Sequence, residues 1–139
     1  MLKEEKQVAI VVGYVSTKEG QAALQRALAE AKLRRTNLVV INSNRGGRDF
    51  DGDASAENEV ELQRIHDVLS GDGIEVEVRQ LVRGNEPSED LIAVAEETDA
   101  ALIVIGLRRR TPVGKLILGS NAQRILLDAP CPVLAVKAD

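Results

Sequence analysis

Apolar and polar positions along this chain follow two distinct periods. VAIVV (8–12), LVVI (38–41), ALIVI (101–105) and VLAV (133–136) are short unbroken apolar runs, as expected of strands buried on both faces. IEVEV (74–78) alternates strictly, which predicts a half-exposed strand at a sheet edge. ALIVI is the most hydrophobic run and is expected to be the central strand. Between the runs the period is helical. Leu24, Ala27, Leu28 and Ala31 recur at i, i+3, i+4 and i+7, behind Ser16 and Glu19 at capping-box spacing. A second helix is predicted over 55–70, with Leu62, Ile65 and Leu69 inward. A third starts at Pro87 near a cap at Asn85 or Glu86, with Leu91, Val94 and Ala95 on its apolar face, and a fourth starts at Ser120. NSNRGGRDFDGDAS (42–55) reads as a polar loop.

Strands alternating with helices require right-handed crossovers and a sheet covered on both sides. The predicted fold class is therefore α/β, a single open, mainly parallel five-stranded sheet with helices on both faces. No repeat, linker or shift in composition divides the chain, so residues 1–139 are expected to form one domain.

Composition narrows the partners. A net charge of -4 argues against a general nucleic-acid binder, and Tyr14 and Phe50, the only aromatics, offer no platform for stacking successive bases. No apolar run approaches the roughly 18 residues of a membrane helix, and MLKEEKQ lacks the layout of a signal peptide. With Cys131 the single cysteine, no intramolecular disulfide can form, and a reducing, cytoplasmic setting is the expectation.

The chemistry concentrates in GLRRRTPVGKLILGS (106–120). It leaves the carboxyl end of the fourth strand, the rim where ligands sit in open parallel sheets. Gly106 can let backbone approach a ligand. Gly119 and Ser120 open a helix whose first amides and dipole favour an anion, and Arg108, Arg109, Arg110 and Lys115 supply charge-assisted donors. A structural reading stands beside this one: Ser120 and Gln123 also have capping-box spacing, Gly106 then serves only a turn, and loop arginines are often simply solvated. A Walker A loop is excluded, because Gly114-Lys115 is followed by Leu116 and Arg109 stands where the first glycine belongs.

Gly106, two residues, Arg109, nine residues, then Gly119-Ser120 resembles the G-x2-G-x9-G-[S/T] signature of the universal stress protein family, in a degenerate form. SNAQRILLDAPCPVLAVK resembles that family's closing helix and strand, and VVGYVSTKEGQAAL its first strand and helix. The resemblance implies a Rossmann-like fold of the adenine nucleotide alpha-hydrolase type. It also implies a site for ATP or a related adenine nucleotide; the acidic loop of Asp49, Asp51 and Asp53 could collect Mg near the phosphates, though nothing in the sequence requires it. By that resemblance Gly106, Arg109, Gly119, Ser120 and Asn121 lie along phosphate and ribose, while Gly13, Tyr14, Val15 and Leu38 line the adenine side.

Two departures mark this chain: Val15 stands where the family's ATP binders usually carry aspartate, and Arg109 replaces the signature's second glycine. An arginine there either narrows the loop against phosphate or turns inward and pairs with it. The nucleotide role implied is regulatory, with at most weak ATP hydrolysis. The alternative is a nucleotide-free interaction module that forms a homodimer through the last strand, VLAVKA, as members of the family commonly do.

The remaining candidates carry less. His66 is the only histidine and has no serine, cysteine or second histidine at catalytic or metal spacing. Asp49, Asp51 and Asp53 imitate the start of a calcium loop, but Ala54 and Val60 stand where glycine and glutamate are required. No metal site and no catalytic residue is predicted.

Overall fold

The structure, a computed structural model, describes residues 9–44, 46, 52–71, 73–108 and 118–138. In chain order the elements are β1 (Ala9–Gly13), α1 (Lys18–Arg34), β2 (Asn37–Asn44), α2 (Gly52–Ser70), β3 (Val76–Val82), α3 (Pro87–Glu97), β4 (Leu102–Leu107), α4 (Ser120–Asp128) and β5 (Val133–Lys137). The five strands form one sheet in the order β3-β2-β1-β4-β5, and all four pairings are parallel. β1 is the central strand. β4 lies beside it, so the expectation that ALIVI is central shifts by one place.

Alternation along β1 divides the interior into two layers. Ile10 and Val12 point to one side, where they meet Leu24, Ala27 and Ala31 of α1 and Leu62, Ile65 and Leu69 of α2. Val11 points to the other, with Ile103 and Ile105 of β4, against Leu91 and Val94 of α3 and Ile125 of α4. Ile10, Leu38 and Ile103 are wholly buried. Each such side chain contributes roughly 1.5–3 kcal/mol of transfer free energy.

Helix α1 begins one residue later than capping-box spacing suggests. Its N-cap is Thr17, whose side chain accepts a hydrogen bond from the Gly20 amide at 3.2 Å. The chain turns tightly before the helix, where a Cβ on Gly20 would stand 1.8 Å from the Val15 carbonyl oxygen. β3 pairs with β2 along its whole length, from Leu38↔Val76 to Asn44↔Val82, beyond the alternating run that identified it. Among the described residues no helix is long and apolar enough to cross a membrane.

Candidate functional site

The connections leave the sheet in opposite directions at β1 and β4, which makes their carboxyl ends the switch point of the sheet. A cleft of about 160 Å³ opens there. Gly13, Tyr14 and Val15 follow β1 into its wall, with Ile41 and Ser43 of β2 and Ile105 and Gly106 of β4. Three helix starts close it: Glu19 and Gly20 of α1, Pro87 and Leu91 of α3, and Asn121, Ala122 and Ile125 of α4. Most of these walls are aliphatic.

Gly106 has a job that its position in the loop motif does not suggest. It lies within β4, and a Cβ added there would stand 2.2 Å from the Glu19 carbonyl oxygen. The glycine therefore lets the first turn of α1 pack directly on the strand, the close helix–strand approach that a side chain would prevent. It lies in the strand rather than in a turn, and it also forms part of the cleft wall.

The sequence-predicted site residues are not all brought together. Gly13, Val15, Gly106 and Asn121 line the cleft, and Val15 is 47% exposed at its mouth. Gly119 is the N-cap of α4 and Ser120 its exposed first residue, next to the cleft rather than in it. Arg108 is exposed just beyond β4, whereas Arg109 and Arg110 lie outside the described residues.

Leu38 requires correction. It pairs with Ile10 in the early part of β2 and faces the α1/α2 layer, so Ile41 and Ser43 form that wall instead. Distance along the strand and side-chain alternation both turn Leu38 away.

Tyr14 lines the cleft, but its side chain packs in the α1/α2 layer. Its hydroxyl donates to Glu61 Oε1 at 3.0 Å, and Arg64 holds the same carboxylate at 2.9 Å. Burial, reinforced by the hydrogen bond to Glu61, pushes the phenol from 10.0 up to about 12. The Tyr14 carbonyl accepts from Asn42 Nδ2 at 2.9 Å, fixing the turn after β1.

The start of α4 presents amides that its own helix does not satisfy. Ser120 makes no cap; Gln123 instead donates through Nε2 to the Leu118 carbonyl at 3.0 Å. The amides of Ser120, Asn121 and Ala122 have no acceptor within their helix, and the dipole adds positive potential. Asn121 Oδ1 accepts from the Ser88 amide at 3.1 Å, docking the start of α4 on the start of α3.

One group escaped sequence reasoning. Asp90 on α3 is fully buried beside the cleft. Its Oδ2 accepts from Ser43 Oγ at 2.6 Å, and its Oδ1 from Arg83 at 2.9 Å and Asn85 at 3.1 Å. Burial alone raises a carboxyl, but the bonds from Ser43, Asn85 and Arg83 and the guanidinium charge outweigh it and hold Asp90 below its ordinary value. The signal was available: Pro87, Asp90, Leu91 and Val94 share one helical stripe, so a carboxylate sits on an apolar face.

An open parallel sheet with helices on both sides and a cleft at the switch point defines a doubly wound α/β domain of Rossmann-like architecture. The chain belongs to the universal stress protein family, whose sequence model matches residues 9–137. A universal stress protein of Mycolicibacterium smegmatis is 46% identical over 128 residues, spanning 92% of this chain and 96% of the relative. The structure of a universal stress protein from Archaeoglobus fulgidus matches with a TM-score of 0.81 at 37% identity, covering 94% of this chain and 98% of the other. A universal stress protein from the same organism, solved in complex with dAMP, matches at 0.78 and 31% identity over 96% of this chain and 100% of its own.

Proposed function

We propose that this protein binds ATP or a related adenine nucleotide at the switch-point cleft, as a regulatory event in the cytoplasm. The observation that carries the reading is the meeting of an aliphatic cleft with the amides that begin α4, which have no acceptor inside their helix. Similarity to the Archaeoglobus fulgidus protein solved with dAMP supports it. At about 160 Å³ the cleft is smaller than the roughly 300–1,000 Å³ of complete small-molecule sites. It suits a planar base between Val15, Ile41 and Leu91, with ribose and phosphates outside it toward Gly119 and Ser120. Arg108, Arg109 and Arg110 are proposed to pair with phosphate oxygens there. Mg would be held by the phosphates, since no cluster of three or more acidic, histidine or cysteine ligands occurs among the described residues.

The test is release of nucleotide from the purified, denatured protein, followed by calorimetric titration with AMP, ATP and ATP with Mg. The expected result is an adenine nucleotide in the supernatant and a Kd tighter than about 1 mM for at least one ligand, some 4 kcal/mol of binding. Arg109→Gly is expected to weaken ATP about tenfold while sparing AMP more. Absence of both release and titratable binding would reject the reading. It would favour a homodimeric interaction module, for which the position of β5 at the edge of the sheet speaks independently.

A further inference from the structure

Ser43 is half-buried in the cleft wall, and the direction of its hydrogen bond is set by chemistry rather than by choice of rotamer. Its partner, Asp90 Oδ2, lies 2.6 Å away, the length of a hydroxyl bonded to a carboxylate. Asp90 is held ionised and accepts on both oxygens, with Arg83 and Asn85 donating to Oδ1. A carboxylate has no proton to give, so the proton in this bond is that of Ser43. What remains at Ser43 Oγ is lone pairs alone. Ser43 therefore presents an acceptor to the cleft, and it accepts from no described residue.

Across the cleft the polarity is opposite. The Ser88 amide can only donate, so the Asn121 atom it meets at 3.1 Å is Oδ1. Asn121 Nδ2, which has no partner among the described residues, is the donor of this pair of walls.

Resting on the nucleotide reading above, we infer that Ser43, polarised by Asp90, is the residue that selects a 6-amino purine over a 6-oxo purine. The exocyclic amine of adenine donates to Oγ. The carbonyl of hypoxanthine or guanine would set an acceptor against an acceptor, leaving both unpaired in a largely apolar cleft. Asp90 touches no ligand in this account and acts as a positioning residue.

AMP and IMP test this directly, because they share ribose and phosphate and differ only in the 6-substituent and in the proton on the neighbouring N1. By calorimetry the protein is expected to prefer AMP by roughly tenfold or more. Ser43→Ala should weaken AMP about three- to tenfold and bring the two affinities within about threefold of each other.

Asp90→Asn gives an outcome that a merely structural role would not produce. Arg83 can only donate, so the amide oxygen must stay on the side of Arg83 and Asn85 and the amide nitrogen must face Ser43. Ser43 then accepts, its own proton turns into the cleft, and preference shifts toward IMP. Circular dichroism establishes that this buried variant is folded, and if it is not, Ser43→Ala decides alone.

An AMP to IMP ratio near unity in the parent protein overturns the inference, as does a ratio unchanged by Ser43→Ala. Equal loss of both ligands in Ser43→Ala also overturns it and assigns the hydroxyl to a sugar oxygen instead. Failure of the parent protein to bind AMP or IMP removes the nucleotide reading and this inference together. Binding of AMP with an unaltered ratio removes the inference alone.

Discussion

Gly106 shows how one missing methyl group fixes the shape of a site. Replacing it with alanine would bring Cβ to 2.2 Å from a backbone oxygen, which cannot swing aside as a flexible side chain would. Either β4 or the first turn of α1 must move, and Glu19 and Gly20 on that turn also close the cleft. Gly106→Ala is therefore expected to cost about 1–3 kcal/mol or more in the absence of any ligand. A urea denaturation curve measures this, and an unchanged midpoint would show that strand and helix do not pack as tightly as the distances require. At this scale the sequence was legible unevenly. The glycine stood out, but its purpose did not, because a close approach between Gly106 and Glu19 joins residues far apart in the chain. Ser43 and Asp90 were missed for the same reason, with an added obstacle: Ser43 lies beyond the apolar run that marked β2. Leu38 was misplaced because an apolar run says that a strand is buried and leaves open which of its residues reaches the rim.

Elements were read more easily than contacts, since periodicity is a local property of the chain. Each of the nine elements among the described residues was anticipated, eight by a run or stripe and α4 by its start at Ser120, and apart from the place of β4 in the sheet the errors fall at their ends, where packing overrides propensity. Thr17 caps α1 in place of Ser16, at the tight turn where Gly20 sits on Val15. Between elements, the side chain of Tyr14 ties the end of β1 to α2 through Glu61 and Arg64. This tie has a pH dependence of definite sign. The folded phenol titrates at about 12 against 10.0 when unperturbed, so the folded state favours the protonated form. Its contribution is complete below pH 10, falls as pH rises above 10, and is lost through 12. Denaturation at about pH 8 and about pH 11 should therefore show the parent protein losing more stability than Tyr14→Phe over that interval. Parallel losses in the two proteins would mean that the phenol is solvated in the folded state.

At the scale of the whole molecule the sheet has two edges, and they are not equivalent. β3 presents Arg79, which pairs with Glu77 at 3.1 Å and Glu97 at 3.0 Å, and charge of this kind discourages pairing with another strand. β5 presents VLAVK, whose four apolar residues are all half-buried. Leu134 and Val136 anchor it to one layer, and Val133 and Ala135 to the other, so the strand is held while its outer edge faces no strand among the described residues. If two copies join by this edge, the interaction runs through main-chain groups that point away from β4. Ile103 donates to the Pro132 carbonyl at 3.0 Å. Alternation in a parallel ladder then turns the groups of Leu134 and Val136 inward and those of Val133, Ala135 and Lys137 outward. Ala135→Pro removes one outward donor without breaking a bond to β4, at a position where an edge strand tolerates proline. Leu134→Asp, by contrast, would place charge in the core layer and confound dissociation with unfolding. Sedimentation should find the parent protein dimeric and Ala135→Pro monomeric with its melting transition largely kept. A monomeric parent, or a variant that stays dimeric, would assign the apolar character of β5 to the closure of its own sheet.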